Sequence, residues 1–125
     1  MILGLGTDIT EIARVKSSLE RFGDSFLHRI LRPEEIAYCR THKEVAQPVA
    51  ARFAAKEAIA KAFGTGIGGQ LGWHDMEICR KESGEPYVIL HGAGKALFAA
   101  RNAKQLLITL SHSQNYATAV AVLEG

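Results

Sequence analysis

Alternation of apolar and small or polar residues opens the chain, and Ile2 to Ile9 reads as a strand with Leu3, Leu5, Thr7 and Ile9 on one face. Ile2, Gly4, Gly6 and Asp8 share the other face, where two positions without side chains precede a carboxylate and leave a lane for close approach. Ile12, Val15, Leu19 and Phe22 then recur at helical spacing, which sets Arg14 and Arg21 together on the opposite side until Gly23 ends the helix. Phe26-Leu27 and Ile30-Leu31 predict a short second helix carrying His28, Arg29 and Arg32 outward. A third helix starts at Pro33-Glu34-Glu35, with proline and acids in its first turn.

The strongest helix signal runs from near Pro48 to Phe63, with alanine at seven positions, so it is both a good helix former and a thin one. Gly64 stops it and begins the loop Gly64-Thr65-Gly66-Ile67-Gly68-Gly69. Beyond Trp73 the pattern turns to strands, Asp75–Cys79 and Tyr87–Leu90, joined through Ser83-Gly84-Glu85-Pro86. A helix over Ala93 to Ala103 follows. Leu106–Ser111 and Ala117–Leu123 then form a terminal hairpin around Ser113-Gln114-Asn115. The expected class is α+β: early helices and a long central helix packed on a small antiparallel sheet.

Length and charge narrow the function. At 125 residues the chain fits one domain, 1–125, able to bury a core without staples. Cys39 and Cys79 form neither a disulfide framework nor a zinc spacing, as expected of free thiols in a reducing cytoplasm. No apolar run reaches the roughly 20 residues that span a bilayer, and the first residues lack the basic start of a signal peptide. Lys plus Arg number 15 against 13 for Asp plus Glu, too even a balance for coating nucleic acid by charge. An acidic partner must therefore meet a local basic patch, for which Arg14, Arg21, Arg29 and Arg32 are the candidates, though a solvated basic face has the same look.

Two carboxylates stand among small neighbours, Asp8 at a strand end and Glu57 within the alanine helix. Such a pair suits Mg²⁺, which takes one or two carboxylates together with substrate phosphates and water. Taken singly, Asp8 is equally a helix cap before Ile9-Thr10-Glu11, and Glu57 with Lys61 four residues on is equally a surface ion pair. Arg52 and Lys56 tilt the balance, because they fall within the Val49, Phe53, Ala60, Phe63 stripe, and cations on an apolar face either snorkel or meet an anion. With Lys61, Lys43 and the glycine loop after the helix, they would suit a polyphosphate. His112, between Ser111 and Ser113 at a strand end, is a further candidate phosphate ligand, and an ordinary turn reads the same way. His28, His42, His74 and His91 are scattered and expected to be exposed. No GxSxG elbow supports a serine nucleophile.

Together, Gly4-Leu5-Gly6-Thr7-Asp8-Ile9 and Arg52-Phe53-Ala54-Ala55-Lys56-Glu57-Ala58-Ile59-Ala60-Lys61-Ala62 resemble the two signatures of bacterial holo-acyl-carrier-protein synthases, the small stand-alone 4′-phosphopantetheinyl transferases. Phe63-Gly64-Thr65-Gly66 and Leu110-Ser111-His112-Ser113 are similar too, so the likeness spans the chain. It implies transfer of phosphopantetheine from coenzyme A to a serine of acyl carrier protein, releasing 3′,5′-ADP and activating the carrier for fatty acid biosynthesis. On this sequence the family's metal ligands fall on Asp8 and Glu57 and its active-site lysine on Lys61. Glu57, directly or through a water, is then the candidate acceptor of the serine proton. The resemblance also implies a homotrimer with coenzyme A between subunits, contacted by Arg52, Lys56, Lys61, Gly64 and His112. Carrier docking would fall on the first helix at Arg14 and Arg21. One departure is Arg32, where many relatives place a serine or threonine cap.

Two other readings compete: a non-catalytic module that binds an acidic protein or nucleotide, and a small RNA-binding protein. The first has no use for the negative charge of Asp8 and Glu57. The second would have to stack bases on Trp73 and Tyr87 alone, with no charge surplus behind them.

Overall fold

Helix α4 (Ala46–Phe63) runs through the centre of the structure, a computed structural model that describes residues 1–125. Its alanines let neighbours approach on nearly every side, and Gly64 ends it in the left-handed conformation at φ 78°. The closest neighbour is β1 (Ile2–Glu11). A Cβ at Gly4 would sit 1.9 Å from the carbonyl oxygen of Ala62, and one at Gly6 would sit 1.8 Å from that of Ala58. The glycine lane expected from the sequence is therefore occupied by the backbone of α4.

α1 (Ile12–Phe22), α2 (Asp24–Ile30) and α3 (Pro33–Arg40) pack Ile12, Val15, Leu27, Ile30 and Ile36 against the first half of α4 at Val49, Ala50 and Ala51. The second half of α4 meets a three-stranded antiparallel sheet ordered β1-β5-β4. Here β4 (Gln105–His112) and β5 (Tyr116–Glu124) are the terminal hairpin, and β5 also takes β1 along its free edge. β2 (Met76–Arg80) and β3 (Pro86–Leu90) form a separate hairpin, entered through a 3₁₀ turn at Trp73–Asp75. α5 (Gly92–Ala100) stops earlier than its alanine content predicts, just before Asn102 adopts φ 53°. The α+β expectation holds, with five helices and small antiparallel sheets.

Several local expectations are corrected. Leu3 does not share a face with Leu5, because a bulge between Ile2 and Gly4 turns it toward the core. Arg32 does not point into solvent: its Nη1 donates to the carbonyl of His74 at 2.8 Å, and its Nε lies 3.7 Å from Glu77 Oε1. The start of α3 is held by Glu35, whose Oε1 accepts the Arg32 backbone N–H at 2.9 Å, so no serine or threonine cap is needed. His91 is half-buried, with Nε2 2.8 Å from Glu77 Oε1. Phe22, expected on the inner stripe of α1, is 54% exposed beneath the Arg21 guanidinium.

Leu5, Ile9, Leu107 and Val120 lie exposed on the outer face of the three-stranded sheet. Both cysteines are free, and burial pushes each thiol up to about 11, with Glu77 adding to the effect at Cys79. No helix is long and apolar enough to cross a membrane.

Candidate active site

The contact between Gly6 and the Ala58 carbonyl decides where the two carboxylates meet. Asp8 lies two residues beyond Gly6 on the same side of β1, and Glu57 directly precedes Ala58 on α4. Both therefore open into one cleft of about 530 Å³, lined also by Thr10, Arg14, Lys61, and the apolar side chains of Val15, Phe26 and Phe53. Asp8 is not a cap at a strand end, since β1 continues past it to Glu11.

Lys61 does not close a surface pair with Glu57 as its spacing allows. Its Nζ reaches across to β1, donating to the Thr7 carbonyl at 2.8 Å and to Asp8 Oδ1 at 3.3 Å. The Thr10 hydroxyl donates to the other Asp8 oxygen, Oδ2, at 3.0 Å. Glu57 accepts no hydrogen bond from the protein. Burial pushes its carboxyl above the usual carboxylate range, the negative charge of Asp8 pushes the same way, and Lys61 pulls back. Two acids and one cation thus leave a local excess of negative charge, which a divalent cation would satisfy. The donor set fits Mg²⁺: two hard carboxylates, one from β1 and one from α4, and open room for substrate oxygens.

Of the residues singled out from sequence, the cleft gathers Asp8, Glu57, Lys61 and Arg14. Arg21 lies further along α1, over the Phe22 ring with Cζ 5.1 Å from its centroid. Gly64 serves as the C-cap of α4, and His112 is exposed at the end of β4; neither lines this cleft.

Lys56 requires a correction. Its side chain is 0% exposed, and Nζ donates to Glu35 Oε1 at 2.7 Å, the Ile30 carbonyl at 2.8 Å and the Trp73 carbonyl at 3.1 Å. All three ammonium protons have partners inside the protein, which leaves none for coenzyme A. Arg52 is also buried, but differently. Its Cζ stacks 4.2 Å from the Tyr38 ring centroid, Nε and Nη1 have no partner, and the guanidinium lines a second cavity of about 450 Å³ with Arg80 and Lys81. Within one chain this cavity and the carboxylate cleft share no lining residue.

Sequence reading passed over Thr10, Glu35 and the Phe53–Trp73 stack, whose centroids lie 5.0 Å apart. Strand alternation places Thr10 on the face of Asp8, so its signal was present. Glu35 resembled an ordinary first-turn acid, and only the unexplained Lys56 pointed to a buried anion.

A family model described as the 4′-phosphopantetheinyl transferase superfamily matches residues 4–121. The chain is 44% identical over 124 residues to the holo-[acyl-carrier-protein] synthase of Koribacter versatilis, covering 99% of both chains. It belongs to the holo-acyl-carrier-protein synthase family of 4′-phosphopantetheinyl transferases. Among solved structures of this family, the Neisseria meningitidis synthase superposes with a TM-score of 0.94 at 33% identity, covering 100% of each chain. The Helicobacter pylori synthase, in complex with coenzyme A, gives a TM-score of 0.86 at 34% identity, covering 96% of this chain and 99% of that one. As an enzyme of this family, the chain brings to one cleft the acids of its two signatures and the lysine that follows the second.

Proposed function

We propose that the chain transfers the 4′-phosphopantetheine arm of coenzyme A to a serine of apo acyl carrier protein, in a Mg²⁺-dependent reaction that releases 3′,5′-ADP. The observation that carries this reading is the cleft itself, where Asp8 and Glu57 stand together with a single lysine, paired to Asp8, below the basic edge of α1. The relative from Helicobacter pylori with coenzyme A bound supports the choice of donor.

Mg²⁺ held by Asp8 and Glu57 would offset charge on the pyrophosphate and make its phosphorus more electrophilic. The serine oxygen forms a bond to the phosphorus that bears the pantetheine arm while the anhydride bond from that phosphorus to the ADP oxygen breaks, so the arm keeps its own phosphoester and is joined to the carrier by a new phosphodiester. Lys61, tethered to the Thr7 carbonyl, is long enough to leave Asp8 Oδ1 and meet the departing phosphate oxygen. Glu57, its carboxyl already raised, is the candidate acceptor of the serine proton. Val15, Phe26 and Phe53 supply an apolar wall to the cleft. Arg14, at the rim, and Arg21, further along α1, offer charge to an acidic carrier.

Assembly belongs to the same proposal. We infer a homotrimer, supported by the apolar outer face of the sheet, where Leu5 is 65% and Ile9 64% exposed. Coenzyme A seated between subunits would let the orphaned Arg52 guanidinium and the exposed His112 and Gly64 of one subunit serve the carboxylate cleft of another. All 125 residues act as one transferase domain, because both apolar clusters are built on α4. Free thiols suit a cytoplasmic setting.

The test is direct. Incubated with apo carrier, coenzyme A and Mg²⁺, the protein should add the phosphopantetheine mass to the carrier, and chelation should stop it. Coenzyme A binding without any mass gain, while a known transferase modifies the same carrier, would reduce the protein to a binding module.

A further inference from the structure

The Asp8 carboxylate is held asymmetrically. Oδ1 faces Lys61 and the open cleft, whereas Oδ2 accepts the hydroxyl of Thr10 at 3.0 Å. Thr10 follows Asp8 by two residues on β1, so both side chains leave the same face of the strand, and Thr10 is only 9% exposed. A buried hydroxyl must find an acceptor, and this one spends its single proton on the carboxylate. Glu57, across the cleft, has no such partner. One carboxylate is thus oriented and the other left free to adjust.

We propose that Thr10 is a positioning residue that fixes the Asp8 carboxylate plane for a divalent cation, anchoring Oδ2 so that Oδ1 is presented to the metal. This rests on the reading of Asp8 and Glu57 as ligands given above. The hydrogen bond acts through orientation: Asp8 without it samples rotamers that turn both oxygens away from Glu57, and the cation then has to supply the ordering. In the structure Thr10 engages Oδ2 and Lys61 meets Oδ1, so the two oxygens of Asp8 already have distinct partners.

The experiment reads Mn²⁺ affinity by electron paramagnetic resonance in the presence of coenzyme A and absence of carrier, so no turnover intervenes. Thr10→Val keeps the shape and removes the proton; Thr10→Ser keeps the proton. Affinity should fall about tenfold in Thr10→Val and stay within about twofold of the parent in Thr10→Ser. Circular dichroism at the same temperature checks the fold, and Thr10→Ala replaces Thr10→Val if the latter is not folded. Unchanged Mn²⁺ affinity in the hydroxyl-free variant, or an equal loss in Thr10→Ser, overturns the proposal. Asp8→Asn separates the two layers of argument. If it binds Mn²⁺ as well as the parent does, the ligand reading has failed, and Thr10 with it.

Discussion

Lys56 and Glu57 are neighbours on one helix, yet they live in opposite electrostatic worlds. Lys56 is sealed, its ammonium answered by Glu35 and two carbonyls. Burial lowers its pKa and the charge of Glu35 pulls it back. Glu57 is half-buried, carries no hydrogen bond, and faces a second acid. The sealed charge ties α2, α3 and the 3₁₀ turn to α4, whereas Glu57 stands open to the cleft beside Asp8. Burial of a charge alone therefore marks architecture. Incomplete neutralisation beside a cavity marks chemistry.

Removing either acid of the cleft should have the largest effect. Glu57→Gln and Asp8→Asn should each lower carrier modification by about 10²–10⁴-fold, read by mass spectrometry, while thermal unfolding without metal stays level or rises. Substantial turnover in both would break the contrast at its functional end. On the other side of α4, Lys56→Met strands Glu35 as a buried anion and should cost about 3–5 kcal/mol in urea unfolding, with turnover per folded molecule of the parent's order. A variant that folds as well as the parent but binds coenzyme A poorly would return Lys56 to the substrate site.

Smaller changes sharpen the comparison. Arg14→Glu, at the rim of the Glu57 side, should raise KM for the carrier about fivefold with little change for coenzyme A; equal changes would count against docking on α1. The smallest effect is the pH dependence of the metal-free fold. The folded-state pKa of Glu57 is raised, so its protonation favours the native state at pH values below the unfolded carboxylate range. That contribution is lost as pH rises through the raised folded value. In a chelator, the Tm of the parent minus that of Glu57→Gln should therefore fall with rising pH and level off above that value. A flat difference would mean that Asp8 and burial do not act on Glu57.

Much of this was legible in the residues themselves. Helix α4 was visible because alanine content and a following glycine are local signals; Gly4 and Gly6 announced a lane for a backbone or a ligand, and the structure fills it with α4. Asp8, Glu57 and Lys61 were found by residue type and by family resemblance. What escaped was non-local. Arg52 and Lys56 looked alike on the helical wheel, and only the position of Glu35, brought in by α3, separates a satisfied cation from an orphaned one. The bulge that turns Leu3 inward depends on the register with β5, which no period-two reading can show. Lys61 had the spacing to pair with Glu57, but the close packing of β1 on α4 brings the Thr7 carbonyl and the Asp8 carboxylate within its reach.

The seam between β1 and α4 has one more implication. Where Gly6 meets the Ala58 carbonyl, the separation of the two backbones that carry Asp8 and Glu57 is set by atomic radii, with no rotamer in between. Most active sites hold their tolerances through side chains that evolution can exchange in small steps. Here the gauge is a missing methyl group, and no residue offers half of one. The chain can vary its carrier-facing rim gradually, but the backbone spacing beneath its acids is inherited whole or lost.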